Sequence, residues 1–387
     1  MSKDAHRILT VVGARPNFMK VGPILAALSS RSGIMPVLLH TGQHYDERMS
    51  DLFFRDLGLP RPDVNLEVGS GSHAVQTGEV MVRFERYLLE QSSPPSFVVV
   101  VGDVNSTLAC SLVAAKAGIP LAHVEAGLRS FDREMPEELN RVCTDQLADV
   151  CYVTEQAGLD NLAREGHAPE DCLLVGNTMI DTLLAHRERA AEQGDRKRRE
   201  LGVDQTPYAV LTLHRPSNVD DRPAFSRVVD ALACVAERLA ILWPIHPRAR
   251  GRAEQFGLLK RIETIAGLHL IEPQGYLDFL GLMDAAALIL TDSGGIQEEA
   301  NLLKVPCVTL RENTERPVTL EMGGNRLAGS DAERIVAAAR QMLELDRNGI
   351  GTPPLWDGRA AERIVDDLVR RLFSGARAPA SRPGRTR

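Results

Sequence analysis

The sequence predicts an α/β chain of two Rossmann-like halves, each built on a mainly parallel sheet. Three observations carry this. Short apolar runs alternate with longer helical stretches along most of the chain. The alternation passes through a highly charged helix that ends near residue 200 and then restarts. Polar residues gather just after the apolar runs, at the C-terminal strand ends where open parallel sheets bind ligands. Two such halves facing each other would enclose a cleft.

In the first half, Arg7–Ala14 reads as a strand, Gly13-Ala14-Arg15-Pro16-Asn17 as a turn, and Met19–Leu28 as a helix. Val37–His40 is a strand, followed by Thr41-Gly42-Gln43-His44 and a helix through Phe54. His73–Glu90 is an amphipathic helix with Met81, Phe84 and Leu88 on one face. Phe97–Val101 is a central strand ending in Gly102-Asp103, and Ile119–Val124 is the next, ending in Glu125-Ala126-Gly127. Pro136-Glu137-Glu138 opens a helix, with Pro at its first position. Cys151-Tyr152-Val153 and Cys172–Val175 are the last strands of this half.

A linking helix, Thr178–Leu201, ends in the charged run Asp195–Glu200, a solvated helix end. In the second half, Tyr208–Leu213 leads to His214-Arg215-Pro216, Ile241–Ile245 to His246-Pro247, and Leu268–Ile271 to Pro273-Gln274-Gly275-Tyr276. Ala285–Leu290 is a strand followed by Thr291-Asp292-Ser293-Gly294-Gly295, and Pro306–Leu310 precedes Arg311 and Arg316. Pro353-Pro354 breaks the chain before a last helix, Arg359–Phe373. The tail from Ser374 is rich in Ala, Pro, Gly and Arg and reads as disordered.

Composition narrows the function classes. The 387 residues are 44% hydrophobic and 25% charged, which fits two globular domains. A formal net charge of −7 provides no general attraction to nucleic acid or anionic membrane. No apolar run approaches the roughly 20 residues of a membrane helix, and the N-terminus leads into a strand without a signal-peptide pattern. The six cysteines lack CxxC spacing and read as reduced thiols of a cytoplasmic protein, without a chemical role. The first turn does not match GxGxxG, and neither a phosphate loop nor HExxH occurs. No nicotinamide cofactor and no metal are therefore expected.

The Asp292–Ala300 stretch is the most informative. A strand runs into Asp292-Ser293, residue types that cap helices, and two glycines then open a helix. Free N–H groups at Ser293, Gly294 and Gly295 and the helix dipole suit a phosphate, although an ordinary strand-to-helix turn has the same look. The other strand-end residues also allow two readings. Asp103 either caps the helix beginning near Ser106 or serves the chemistry. Glu137 and Glu138 are either first-turn carboxylates favoured by the dipole or reactive groups. Arg15 is either a surface turn residue or a ligand cation, and His214 either a hydrogen-bonded strand-end histidine or a catalytic one. Together, carboxylates in the first half and cations plus a helix start in the second suit a substrate with a diphosphate at one end and a mobile proton at the other.

The ordered set of motifs resembles the non-hydrolysing UDP-N-acetylglucosamine 2-epimerase family. Its carriers run from Gly13-Ala14-Arg15-Pro16 with Lys20, through Gly102-Asp103-Val104-Asn105 and His123-Val124-Glu125-Ala126-Gly127-Leu128-Arg129, to Pro136-Glu137-Glu138 with Asn140-Arg141. They continue with Gly176-Asn177-Thr178, His214-Arg215, Pro273-Gln274, Asp292–Ala300 and Thr314-Glu315-Arg316-Pro317. The resemblance implies two Rossmann-like domains arranged as in B-type glycosyltransferases. The N-terminal domain (1–177) would carry proton-transfer carboxylates and the C-terminal domain (178–355) would bind UDP. A helix (356–373) would cross back to the first domain, leaving a tail (374–387).

The implied reaction interconverts UDP-GlcNAc and UDP-ManNAc, in a cytoplasmic homodimer without added cofactor, by elimination of UDP to 2-acetamidoglucal and re-addition. By resemblance, Asp103, Glu125, Glu137 and His214 are catalytic. Arg15, Lys20, Ser293, Gly294, Gly295 and Arg316 hold the substrate and its diphosphate, Glu299 the ribose, and Gln274 with Phe279 the uracil. The chain departs from the best-known bacterial members at Asn17, at Tyr45–Arg48, at Pro216-Ser217 and at Val318, which bears on the sugar substituents and on any activating second nucleotide. The alternatives are a 2-epimerase of a modified UDP-sugar such as a UDP-diacetamido-uronic acid, a hydrolysing variant releasing ManNAc and UDP, a glycosyltransferase, and a nucleotide-sugar sensor.

Overall fold

The computed structural model describes residues 5–42 and 57–373. The expected helix through Phe54 and the tail from Ser374 lie outside the described residues. The chain forms two compact units. One takes in the chain up to Thr182 and again from Pro354, and the other spans Leu183–Pro353. Among the described residues, no helix is long and apolar enough to cross a membrane.

The first unit is built on β1 (His6–Val12), β2 (Ile34–His40), β3 (Val64–Asn65), β4 (Phe97–Val101), β5 (Leu121–Ala126), β6 (Val150–Val153) and β7 (Cys172–Leu174). Their order is β3-β2-β1-β4-β5-β6-β7, and every neighbouring pair is parallel. The order reverses between β1 and β4, the switch point where doubly wound sheets leave a crevice. The Phe-Val-Val-Val-Val run of β4 is buried throughout, as a strand covered on both faces must be. Its residues alternate between two cores. Phe97, Val99 and Val101 pack with Ile8, Ile364 and Leu368, while Val98 and Val100 pack with Leu9, Val80 and Phe84.

The last helix, Ala360–Phe373, belongs to this first unit. Its first turn donates Ala360 N and Ala361 N to the Asp181 carboxylate at 3.1 and 2.7 Å. The buried Tyr152 hydroxyl donates to Asp367 at 2.9 Å.

The second unit is built on β8 (Tyr208–Thr212), β9 (Ala240–Pro244), β10 (Leu268–Ile271), β11 (Leu288–Thr291), β12 (Cys307–Thr309) and β13 (Asn325–Leu327). They form a parallel sheet of order β10-β9-β8-β11-β12-β13, with its switch point between β8 and β11. Trp243, edge-on to Phe225, anchors its core.

Local chemistry moves some boundaries. The first helix starts at Arg15, inside the expected turn, because Pro16 suits a first helical turn and Asn17 Oδ1 accepts from Ala14 N at 2.9 Å. β11 begins only at Leu288, since Ala285 is the C-cap of the preceding helix. In the helix His73–Leu89 the most buried stripe is Gln76, Val80 and Phe84, with Met81 and Leu88 at its margin. β3 and β13 are edge strands too short to show a period.

One close approach positions the second unit's helix Tyr276–Asp284. It crosses the helix Thr178–Glu200 with Gly281 against Gly194, so that a Cβ on Gly281 would lie 2.1 Å from the Ala190 carbonyl oxygen. Backbone cannot yield cheaply there. Gly281→Ala is expected to destabilise the protein by about 1–3 kcal/mol, read as a lowered urea midpoint.

Candidate active site

The first unit's candidate residues sit at the C-terminal edge of its sheet. After β4 the chain turns at Gly102, whose φ of +69° lies in the left-handed region. Asp103 follows, but it does not cap the next helix; Val104 is the N-cap, without a side-chain bond. Instead Arg141 pairs with Asp103 at 2.5 Å, and Asn140 Nδ2 donates to the Asp103 carbonyl at 2.9 Å.

Arg141 also lies 3.1 Å from the Glu138 carboxylate, which accepts from Ser130 N, Ser130 Oγ and Phe131 N, each at 2.9 Å. The adjacent carboxylates in the helix Pro136–Leu147 are thus divided. Glu138 is buried and ties down the preceding loop, while Glu137 stands half-buried in the first turn.

Glu125 is placed by strain. The pairing of β5 with β6 shifts register between Val124 and Ala126, and Glu125 has φ +70°. A left-handed non-glycine residue costs on the order of 1–3 kcal/mol, and such a bulge re-aims a side chain. The Glu125 carboxylate pairs with Lys20 from the helix Arg15–Ser29. A Cβ on Gly102 would lie 3.2 Å from Lys20 Nζ and 3.8 Å from Glu125 Oε2, so the glycine leaves room for this pair beside Asp103. Asn17 closes the switch point, with Nδ2 donating to the Val101 carbonyl at 3.0 Å. Arg15 is the first residue of that helix, and its side chain lies outside the described residues.

The sequence reading missed the residue that holds these pieces. Asp145, fully buried in the helix Pro136–Leu147, accepts from His123 Nδ1 at 2.6 Å and Gly127 N at 3.1 Å, and pairs with Arg129 at 2.7 Å. His123 Nε2 lies 2.9 Å from the Gly102 carbonyl. Burial alone would raise the pKa of Asp145, but His123 and Arg129 outweigh it and hold the carboxyl below its usual range. Arg129 is occupied structurally, forking also onto Glu165. The signal available in sequence was an acid four residues after Arg141 on the helix that Pro136 opens.

In the second unit, His214 and Asp292 join the ends of β8 and β11. Asp292 accepts from His214 N at 3.0 Å, Arg215 N at 2.9 Å and Asn218 Nδ2 at 3.1 Å, and lies 2.9 Å from His214 Nδ1. Asp292 is therefore not a helix cap; Ser293 is the N-cap of the helix Gly294–Leu302, without a side-chain cap bond. Burial opposes ionisation of Asp292, but His214 and the two backbone N–H groups hold its pKa down. The His214 side chain stays 43% exposed, open to a ligand.

At the helix start, Gly294 leaves no space for a side chain, because its Cβ would lie 2.6 Å from Glu315 Oε1. Glu315 is neutralised by Arg311 at 2.8 Å and faces Arg215 at 3.6 Å. Gly295 is half-buried. Arg316 is buried and paired with Glu298 at 2.6 Å. Burial pushes the pKa of Glu299 up to about 8, with the Tyr276 hydroxyl donating at 3.1 Å in partial opposition and Glu298 adding to the rise. Tyr276 and the half-buried Phe279 share one helix, and Gln274 folds back onto the Glu272 carbonyl.

The residues matched by the family model described as UDP-N-acetylglucosamine 2-epimerase are 26–369. A UDP-N-acetylglucosamine 2-epimerase of Methanocaldococcus jannaschii is 43% identical over 367 residues, covering 94% of this chain and 99% of that protein. A UDP-2,3-diacetamido-2,3-dideoxy-D-glucuronate 2-epimerase of Pseudomonas aeruginosa is 38% identical over 368 residues, with the same shares. The crystal structure of the M. jannaschii UDP-GlcNAc 2-epimerase in complex with UDP-GlcNAc and UDP matches with a TM-score of 0.85 and 42% identity, over 94% of this chain and 99% of that one.

Two outcomes are expected from this geometry. Asp145→Asn removes a buried charge from His123 and Arg129 and should cost about 3–5 kcal/mol, measured by chemical denaturation at neutral pH. The wild-type advantage should shrink as pH falls, because a carboxylate with a depressed folded pKa loses its contribution on protonation. Glu299 has the opposite sign. Its fold holds a proton that the unfolded chain releases near its ordinary 4.5, so stability falls as pH rises from about 4.5 to about 8. Glu299→Gln should flatten that slope in urea titrations across the interval.

Proposed function

On the premise that this chain belongs to the UDP-N-acetylglucosamine 2-epimerase family, we propose that it interconverts UDP-GlcNAc and UDP-ManNAc without added cofactor. Cytoplasmic location and a homodimer belong to the same reading. The observation that carries it is that Asp103 and Glu125 end neighbouring strands at one sheet edge, and that Glu137 opens the helix whose Asn140 and Arg141 bind Asp103. Two of them have cationic partners, Arg141 and Lys20.

The chemistry demands this kind of site. C2 of the sugar is not adjacent to a carbonyl, so its proton is not acidic enough to leave alone. The C1–O bond to UDP breaks as a carboxylate takes the C2 proton, leaving 2-acetamidoglucal and UDP. UDP then re-adds at C1 while a second acid returns a proton to the opposite face of C2. Separate, fixed carboxylates are needed because the two faces cannot be served from one position.

The departing diphosphate needs cations and N–H donors. Arg15, His214, Arg316 and the Ser293-Gly294-Gly295 backbone are assigned to it. Glu299 is assigned to the ribose hydroxyls, with Gln274 and Phe279 at the uracil, and Lys20 to the substrate as well as to Glu125.

A second reading rests on the P. aeruginosa relative, whose named substrate carries a second acetamido group and a carboxylate. Incubation with UDP-GlcNAc in D2O followed by NMR decides between them. Deuterium at C2 together with UDP-ManNAc supports the proposal. No exchange with UDP-GlcNAc, but exchange with the diacetamido-glucuronate, supports the second reading, and free ManNAc with UDP identifies a hydrolase. Asp103→Asn, Glu125→Gln and Glu137→Gln should each lower kcat about 10²–10⁴-fold while UDP binding persists.

A further inference from the structure

Outside the candidate active site, three metal-ligating side chains converge at the edge of the first sheet. β6 and β7 pair in register with Cys151 opposite Cys172, and Cys151 in turn pairs with His123 of β5, so the three form a row across neighbouring strands. In-register neighbours of a parallel sheet point to the same face, and the two sulfurs lie within 4.8 Å of each other.

The third group is delivered by a helix ending. The helix Gln156–Arg164 stops at Glu165, and Gly166 follows with φ +86°. Gly166 N donates to the Ala163 carbonyl and His167 N to the Leu162 carbonyl, at 3.2 and 3.0 Å. These paired bonds form a Schellman ending, which turns the chain so that half-buried His167 lies over the two cysteines. One ligand atom from each of Cys151, His167 and Cys172 lies within 4.8 Å of the others.

We infer that Cys151, His167 and Cys172 form a binding site for a soft divalent ion of the zinc type. Two sulfurs and an imidazole are the donors such ions select. A tetrahedral ion with ordinary zinc bond lengths spaces its ligands about 3.5–3.8 Å apart, so closing the triad needs a contraction of at most about 1.3 Å. Two thiolates neutralise the ion's charge, and binding releases the thiol protons. Three protein ligands leave a fourth position for water or a small anion. The ion would tie the 165–171 loop to the sheet edge, on the same strand row as His123.

The test uses the full chain, reduced with a phosphine and freed of metal by a chelator. Titration with Co(II) should produce the thiolate-to-cobalt charge-transfer band and the visible bands of a tetrahedral ion, saturating at one equivalent and displaced by Zn(II). Zn(II) should also raise the Tm. Cys172→Ser and His167→Ala should lose the thiolate band or weaken binding at least tenfold while keeping the far-UV spectrum of the metal-free chain. These positions are only half-buried, so folding survives there more readily than at buried Cys151. The double variant of the exposed thiols, Cys143→Ser with Cys234→Ser, should keep the band. Absence of the band in the reduced wild type, its persistence in Cys172→Ser, its loss in the exposed-thiol double variant, or recovery of Cys151 and Cys172 as a disulfide under these conditions would overturn the inference.

Discussion

The candidate active site of the first unit depends on one buried carboxylate. Asp145 touches no assigned substrate group, yet it fixes the carriers of two that do. Through His123 it holds the Gly102 carbonyl, and so the turn that presents Asp103. Through Gly127 N it holds the far side of the bulge that presents Glu125. A fully buried carboxylate is tolerable only with its charge matched and its oxygens bonded, and His123, Arg129 and Gly127 do both. The left-handed strain at Glu125 is sustained against this anchor.

The second unit uses the same device on a different chain segment. Asp292 is buried at the end of β11 and gathers His214, the Arg215 backbone and Asn218 from beyond β8. In both sheets a carboxylate orients a histidine and pins a turn beside the switch point. The difference lies in exposure. His123 is sealed inside and acts through the backbone it holds, whereas His214 keeps part of its ring at the surface. Burial therefore separates a positioning histidine from one able to meet a ligand.

The environment also sorts the acids. Lys20 and Arg141 stand against Glu125 and Asp103, Glu138 is consumed by loop N–H groups and Arg141, and Glu299 is held protonated to about pH 8 by burial. Adjacent residues diverge in this way. Glu137 and Glu138 are indistinguishable as letters, and so are Glu298 and Glu299, but Glu138 and Glu298 are buried against arginines while Glu137 is half-buried and Glu299 meets the Tyr276 hydroxyl.

The sequence alone determined the α/β class, the restart into a second half, and the main strand-end positions, because each strand writes its burial as a run of apolar residues and each turn marks its end. The ordered motifs also determined the family. What tertiary structure decided was partnership. That Asp145 serves His123, that Asp292 serves His214 instead of capping a helix, and that Cys151, His167 and Cys172 meet, all depend on strand order and register. These contacts join residues roughly 5 to 80 positions apart, on neighbouring elements of a parallel sheet whose crossovers put sequence neighbours far apart and distant residues side by side. A helix period shows that a residue faces inward; only the packed sheet shows what it faces.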